Sequence, residues 1–100
     1  MSVEKTLEER GARYGKFIDH AGFAQAIQDV CRSSPNWDTM RPDVRQCLTV
    51  ISDKMARILN GDSEYTDNYH DIAGYAILVE KRIVSEQELF EEVTEYLNDR

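Results

Sequence analysis

The feature that most constrains this chain is a run of apolar residues at helical spacing: Val44, Leu48, Ile51, Met55 and Ile58. They recur at i, i+4, i+7, i+11 and i+14, so they line one face of a helix that needs another surface to cover it. Pro42 fits the first turn of that helix, where its missing N–H costs nothing. Asn60-Gly61 is expected to end it with a left-handed cap. The link from Asp62 to Tyr65 is short, so the next helix should return beside the first as an antiparallel hairpin. Thr66 is a good N-cap for that helix and Asp67 suits its first turn. Ile72, Tyr75, Ala76, Leu78 and Val79 supply its apolar surface as far as about Arg82.

The flanking segments also read as helical. Residues 3–10 suggest a short helix. Gly11 and Gly15 then weaken the pattern by about 1 kcal/mol each, which predicts an irregular glycine-containing segment to residue 19. Phe23, Ile27, Val30 and Cys31 mark a helix over about 20–32, closed by Ser33-Ser34-Pro35-Asn36. Trp37 and Met40 in the next connection are expected to fold back onto the core as an apolar plug. Ser85 and Glu88 form a capping box that predicts a separate final helix over about 86–98, with Leu89, Phe90, Val93 and Leu97 on one face. No stretch alternates with period two. The expected fold is all-α: one domain over 1–100, a compact four-helix array with helices at about 20–32, 43–59, 67–82 and 86–98. A chain of 100 residues buries only about two-thirds of its unfolded surface, which favours a homo-oligomer.

Charge narrows the partners. The net charge is −7, which repels nucleic-acid polymers and anionic membrane surfaces but leaves room for a small anion in a local basic pocket. Cys31 and Cys47 lack the short spacing of a zinc site and read as buried free thiols. The polar, charged start of the chain is unlike a signal peptide, and no apolar run approaches membrane-spanning length. A cytoplasmic setting is therefore expected.

The chemistry concentrates in the middle of the chain. At 100° per residue, Asp67, Asp71, Gly74 and Leu78 share one stripe, and Leu78 suggests that the stripe faces inward. Gly74 inside a helix suggests a backbone or ligand close by. Lys54 and Arg57 flank the apolar seam of the preceding helix, so they should approach Asp67 and Asp71 across the hairpin. The plainest reading is a salt-bridge network. The functional reading has Lys54 and Arg57 on phosphate oxygens, with Asp67 and Asp71 able to hold Mg²⁺. His70 and Tyr75 lie beside them. A second candidate is the segment Arg10 to Lys16, in which Arg10, Arg13 and Lys16 surround two glycines and Tyr14. Glycine backbone can present N–H groups to an anion, and a tyrosine ring can stack on a base. It is not a Walker loop. The glutamates of the final segment read as a solvated face.

Two stretches carry a resemblance: ERGARYGKF, residues 9–17, and DKMARILNGDSEYTDNYHDIAGYAILV, residues 53–79. They resemble a family of small phage and prophage proteins of unassigned function that looks like a branch of the MazG-like all-α nucleotide pyrophosphatases. The most specific part is Lys54, Arg57, Asp67, Asp71, Gly74 and Tyr75. The resemblance covers most of residues 7–83 and leaves out the final helix. It implies an oligomeric helical bundle around a nucleotide. In the enzymes, E-x-x-E and E-x-x-D sets bind Mg²⁺ and water attacks the bound phosphate. This chain departs from that pattern. Lys54 and Arg57 stand where acids are expected, Asp43 and Asp53 are not spaced as E-x-x-E, and Asp67 and Asp71 are four apart rather than three. Bases in place of acids favour direct contact with phosphates over metal. The expected function is binding of a nucleotide or nucleotide-derived signal without cleavage. In a phage setting this would sequester a defence signal in the host cytoplasm, with no cofactor required. Two alternatives stand beside it: a Mg²⁺-dependent NTP or dNTP pyrophosphatase using Asp67 and Asp71, and an interaction module whose polar cluster is structural.

Overall fold

A computed structural model describes residues 2–99. Among these residues the fold is all-helical: α1 (Val3–Tyr14), α2 (Phe17–Arg32), a 3₁₀ turn (Trp37–Thr39), α3 (Pro42–Asn60) and α4 (Thr66–Asn98), with no strand.

Helix α1 is longer than the sequence suggested. The Ser2 side chain caps it by accepting from the Lys5 N–H at 3.1 Å. Good helix formers on both sides carry it through Gly11 to Tyr14. Only Gly15 and Lys16 separate it from α2, so the expected irregular segment over 11–19 shrinks to two residues. Gly15 stands at φ 76°, which favours glycine.

The largest difference lies in α4. The separate helices expected at 67–82 and 86–98 are one helix of 33 residues, about 50 Å long. Ser85 sits inside it. Using Ser85 as a cap would have required extended backbone there, which interrupts the helix. Instead Glu86 pairs with Arg82 one turn back (3.4 Å) and with Arg41 at the start of α3 (3.2 Å), which stitches the helix across the expected break. Thr66 is the first helical residue, and Tyr65 takes the cap position. The long helix makes the molecule elongated rather than compact, 67 × 31 × 23 Å.

Helix α3 is the centre of the packing and touches α1, α2 and α4. Its contacts with α2 are made close by small side chains: Ala24 on α2 and Ser52 and Ala56 on α3 are buried. The Ser52 hydroxyl donates to the Leu48 carbonyl at 2.7 Å and lies 3.9 Å from the Cys31 sulfur. Cys31 and Cys47 are both free thiols, the second buried. Burial holds the Cys47 thiol above its ordinary pKa. Trp37 and Met40 are half-buried. Beside the Arg41–Glu86 pair, Asp43 with Arg82 at 2.9 Å and Lys54 with Asp71 at 2.9 Å join α3 to α4.

The end of α3 is stapled to the break between α1 and α2. The Asn60 amide donates to the carbonyls of Tyr14 (2.9 Å) and Lys16 (3.0 Å), and the Asp62 N–H donates to the Arg13 carbonyl at 2.6 Å. Gly61 has φ −130° and ψ −138°, not the left-handed cap expected from Asn-Gly. Its glycine is needed for another reason: a Cβ there would run into the Arg13 carbonyl and the Tyr14 backbone.

Candidate functional site

The staple holds Tyr14, Gly15 and Lys16 against the last turns of α3 and leaves a cavity of about 830 Å³ between α1, α2 and α3. That lies inside the range of roughly 300–1,000 Å³ typical of small-molecule sites. Arg10 and Lys16 line it from the α1–α2 side and Arg57 from α3, together with the rings of Tyr14, Phe17 and His20. The Arg57 guanidinium lies 4.6 Å from the Tyr14 ring centroid and that of Arg10 at 5.4 Å, both within cation–π range. Arg57 also reaches back one turn to Asp53 at 3.3 Å. With 21% of its side chain exposed, Arg57 is fixed in place yet still able to meet a ligand.

Asp53 holds a second partner. Its Oδ1 lies 2.9 Å from His20 Nε2, and Phe17 stacks on the His20 ring with centroids 6.2 Å apart. A carboxylate only accepts, so a neutral His20 must carry its proton on Nε2. Its Nδ1 is buried and has no hydrogen-bond partner among the described residues. The Asn68 amide nitrogen on α4 is likewise buried and unpartnered.

A smaller cavity of about 350 Å³ adjoins the first, with Gln28 and Asp53 on the wall of both. Lys54, Asp71 and Tyr75 line it. The hydrogen bond from Lys54 holds the Asp71 carboxyl below the usual carboxylate range, and the charge of Lys54 adds to the effect. A carboxylate with a lowered folded-state pKa stabilises the fold above its unfolded pKa, near 3.8, and loses that contribution as pH falls through the folded value. Asp71→Asn is therefore expected to lower the thermal midpoint at pH 5 to 7. The gap from the parent chain should close as pH falls below 4, in a series of melts read by circular dichroism.

The residues singled out from sequence fall into three groups. Arg10, Tyr14, Lys16 and Arg57 line the large cavity, and Lys54, Asp71 and Tyr75 the small one. Arg13, Asp67 and His70 line neither. Arg13 lies over the Tyr65 ring at 5.1 Å. Asp67 is exposed and accepts from the Tyr65 hydroxyl at 2.9 Å, which raises the tyrosine's pKa. His70 is exposed on α4. The expected quartet is therefore split: Lys54 meets Asp71, Arg57 turns to Asp53 and Tyr14, and Asp67 faces away. Leu78 is 65% exposed, so the stripe expected through it does not face inward. Open space surrounds Gly74. His20 and Phe17 are not among the candidates read from the sequence, and Asp53 enters there only as an acid without the E-x-x-E spacing. The i, i+4 spacing of Asp53 and Arg57 was a usable signal, but nothing local joins His20 to Asp53.

The site fits Mg²⁺ poorly. Asp71 is engaged by Lys54 and Asp67 by Tyr65. Among the described residues no group of three or more His, Cys, Asp or Glu side chains is placed to hold a metal ion. Hard cations need several oxygen ligands at once. The arrangement suits an anion beside a flat ring: three cations converge on one hollow, and aromatic faces line it.

In comparisons with known proteins, no family model, curated protein or solved structure matches this chain.

Proposed function

We propose that this protein binds a nucleotide or nucleotide-derived signal in the large cavity and does not cleave it. Arg57, Lys16 and Arg10 meet the phosphates, and Tyr14 and Phe17 offer faces for the base. Helices α3 and α4 act as an antiparallel hairpin that supports the site, and the working unit is a homo-oligomer. The kinship with MazG-like nucleotide proteins, and with it a phage role in sequestering a host defence signal, belongs to the same proposal. The observation that supports the reading most strongly is the setting of Arg57: bridged to Asp53, laid over Tyr14 and on the wall of a cavity of nucleotide size. The net charge of −7 favours a small ligand over a nucleic-acid polymer. No helix among the described residues is long and apolar enough to cross a membrane.

The test is a thermal-shift screen with NTPs, dNTPs, cyclic dinucleotides and ADP-ribose derivatives, each with and without Mg²⁺. A compound that binds only the folded chain raises the midpoint, by about 2.7 kcal/mol of stability at a hundred times its Kd. At least one compound is expected to do so without metal and to be recovered intact by chromatography. Recovery of monophosphate and pyrophosphate would instead establish the pyrophosphatase. No shift from any compound would leave an interaction module.

A further inference from the structure

Two hollows share one wall. The large cavity and the smaller one of about 350 Å³ both touch Gln28 on α2 and Asp53 on α3. Residues of α1 line only the large cavity, and residues of α4 line only the small one. From the α1–α2 break outward, the order is therefore the rings of Tyr14 and Phe17, then Arg57 and Asp53, then Lys54 with Asp71 and Tyr75. Arg57 stands at the divide, because its Nε lies 3.3 Å from Asp53 Oδ2. A phosphate held by Arg57, with its nucleoside against Tyr14 or Phe17, turns its far side towards the small cavity.

The two hollows differ in the sign of their charge. In the large one, Arg10, Lys16 and Arg57 outweigh a single carboxylate, Asp53. The surplus of two positive charges matches a diphosphate bridge, which carries one negative charge on each phosphorus. In the small one, Lys54 stands against two carboxylates, Asp53 and Asp71, and is already bonded to Asp71 at 2.9 Å. A further phosphate there would meet more negative charge than positive, and like charges at short range disfavour the charged form. The small cavity suits an uncharged group.

Its wall offers donors and acceptors together. The Gln28 amide oxygen accepts from Arg32 at 3.2 Å, which leaves the amide nitrogen to donate. The Thr49 hydroxyl donates to the Arg45 carbonyl at 2.9 Å, which leaves its oxygen to accept. The carboxylates only accept, and the Lys54 ammonium has further protons to donate. Tyr75, 41% exposed, adds a ring and a hydroxyl at the rim. A group bearing several hydroxyls answers such a wall in both senses, since each hydroxyl donates and accepts.

We infer that the small cavity is a subsite for an uncharged sugar, joined through a diphosphate to the nucleoside in the large one, so that the ligand belongs to the nucleoside diphosphate sugars. This rests on the nucleotide reading above and narrows it.

Calorimetric titration of the full chain without Mg²⁺ tests it with three pairs: ADP and ADP-ribose, GDP and GDP-mannose, UDP and UDP-glucose. In at least one pair the sugar-bearing member is expected to bind about tenfold or more tightly than its diphosphate, the equivalent of one or two added hydrogen bonds. Tyr75→Ala and Thr49→Val are each expected to cut that preference at least threefold. If Tyr75→Ala loses its helical circular dichroism, Thr49→Val decides. Diphosphates that bind as well as their sugar-bearing partners would overturn this inference and leave the nucleotide reading standing. Variants that keep the full preference would overturn the placement of the sugar. No binding by any of the six compounds also overturns the inference, and the thermal-shift screen decides the nucleotide reading separately.

Discussion

Gly61→Ala is expected to lower the thermal midpoint by roughly 10–20 °C. The added carbon would meet backbone, not the end of a flexible side chain: the Arg13 carbonyl and the Tyr14 Cα stand in its place. To make room, the end of α1 must move away from the end of α3. That movement strains the bond from the Asp62 N–H to the Arg13 carbonyl and the two bonds from the Asn60 amide, which are the staple at this end of the molecule. Overpacking of this kind costs about 1–3 kcal/mol even where side chains can adjust, and backbone adjusts less. The same displacement opens the cavity, because Tyr14 and Lys16 are held by that staple. Circular dichroism melts of the two chains check the prediction. A loss of only a few degrees would mean that the junction yields to the added carbon without strain.

Arg57→Ala is expected to weaken nucleotide binding by about 100-fold while leaving the helical content intact. A charge-assisted hydrogen bond contributes about 1.5–3 kcal/mol, and 1.4 kcal/mol is a factor of ten. Arg57 is suited to contribute near the top of that range because its position is already paid for: Asp53 and the Tyr14 ring hold it whether or not a ligand is present. Arg57→Lys should recover only part of the loss, since an ammonium lacks the planar fork that meets a phosphate through two parallel bonds. Arg32→Ala provides the comparison. Arg32 pairs with Asp29 at the far end of α2, outside both cavities, and its loss should leave affinity unchanged.

How much of this could be read from the sequence depends on how far apart in the chain the contacting residues lie. The repeat from Val44 to Ile58 specified α3 nearly to its ends, because a single period governs it. The approach of Lys54 to Asp71 followed from the short link between α3 and α4. Arg57 is expected at the same acids, yet it lies one turn nearer the end of α3 than Lys54 and about 60° around the helix, where it meets Tyr14 and Asp53 instead. On α4 the stripe was chosen through Leu78. The inward face is set by Asn68, Ile72 and Val79, which keeps Asp71 half-buried and leaves Asp67 outside. The capping box at Ser85 was a sound local signal that lost to its surroundings, including the pairs of Glu86 with Arg82 and Arg41. The contact of His20 with Asp53 spans 33 positions and has no local signature. It exists because Asn60 fastens the end of α3 to the α1–α2 break, an arrangement that only three dimensions display.

Uptake of a phosphate-bearing ligand by the cavity beside Arg57 is measured most directly by calorimetric titration. The nucleotide that gives the largest midpoint rise would be titrated in parallel into the parent chain, Arg57→Ala and Arg32→Ala. Saturable binding to the parent and Arg32→Ala chains, with affinity at least tenfold weaker for Arg57→Ala, is the expected result. Equal affinity in all three chains, or no heat from any of them, would contradict it.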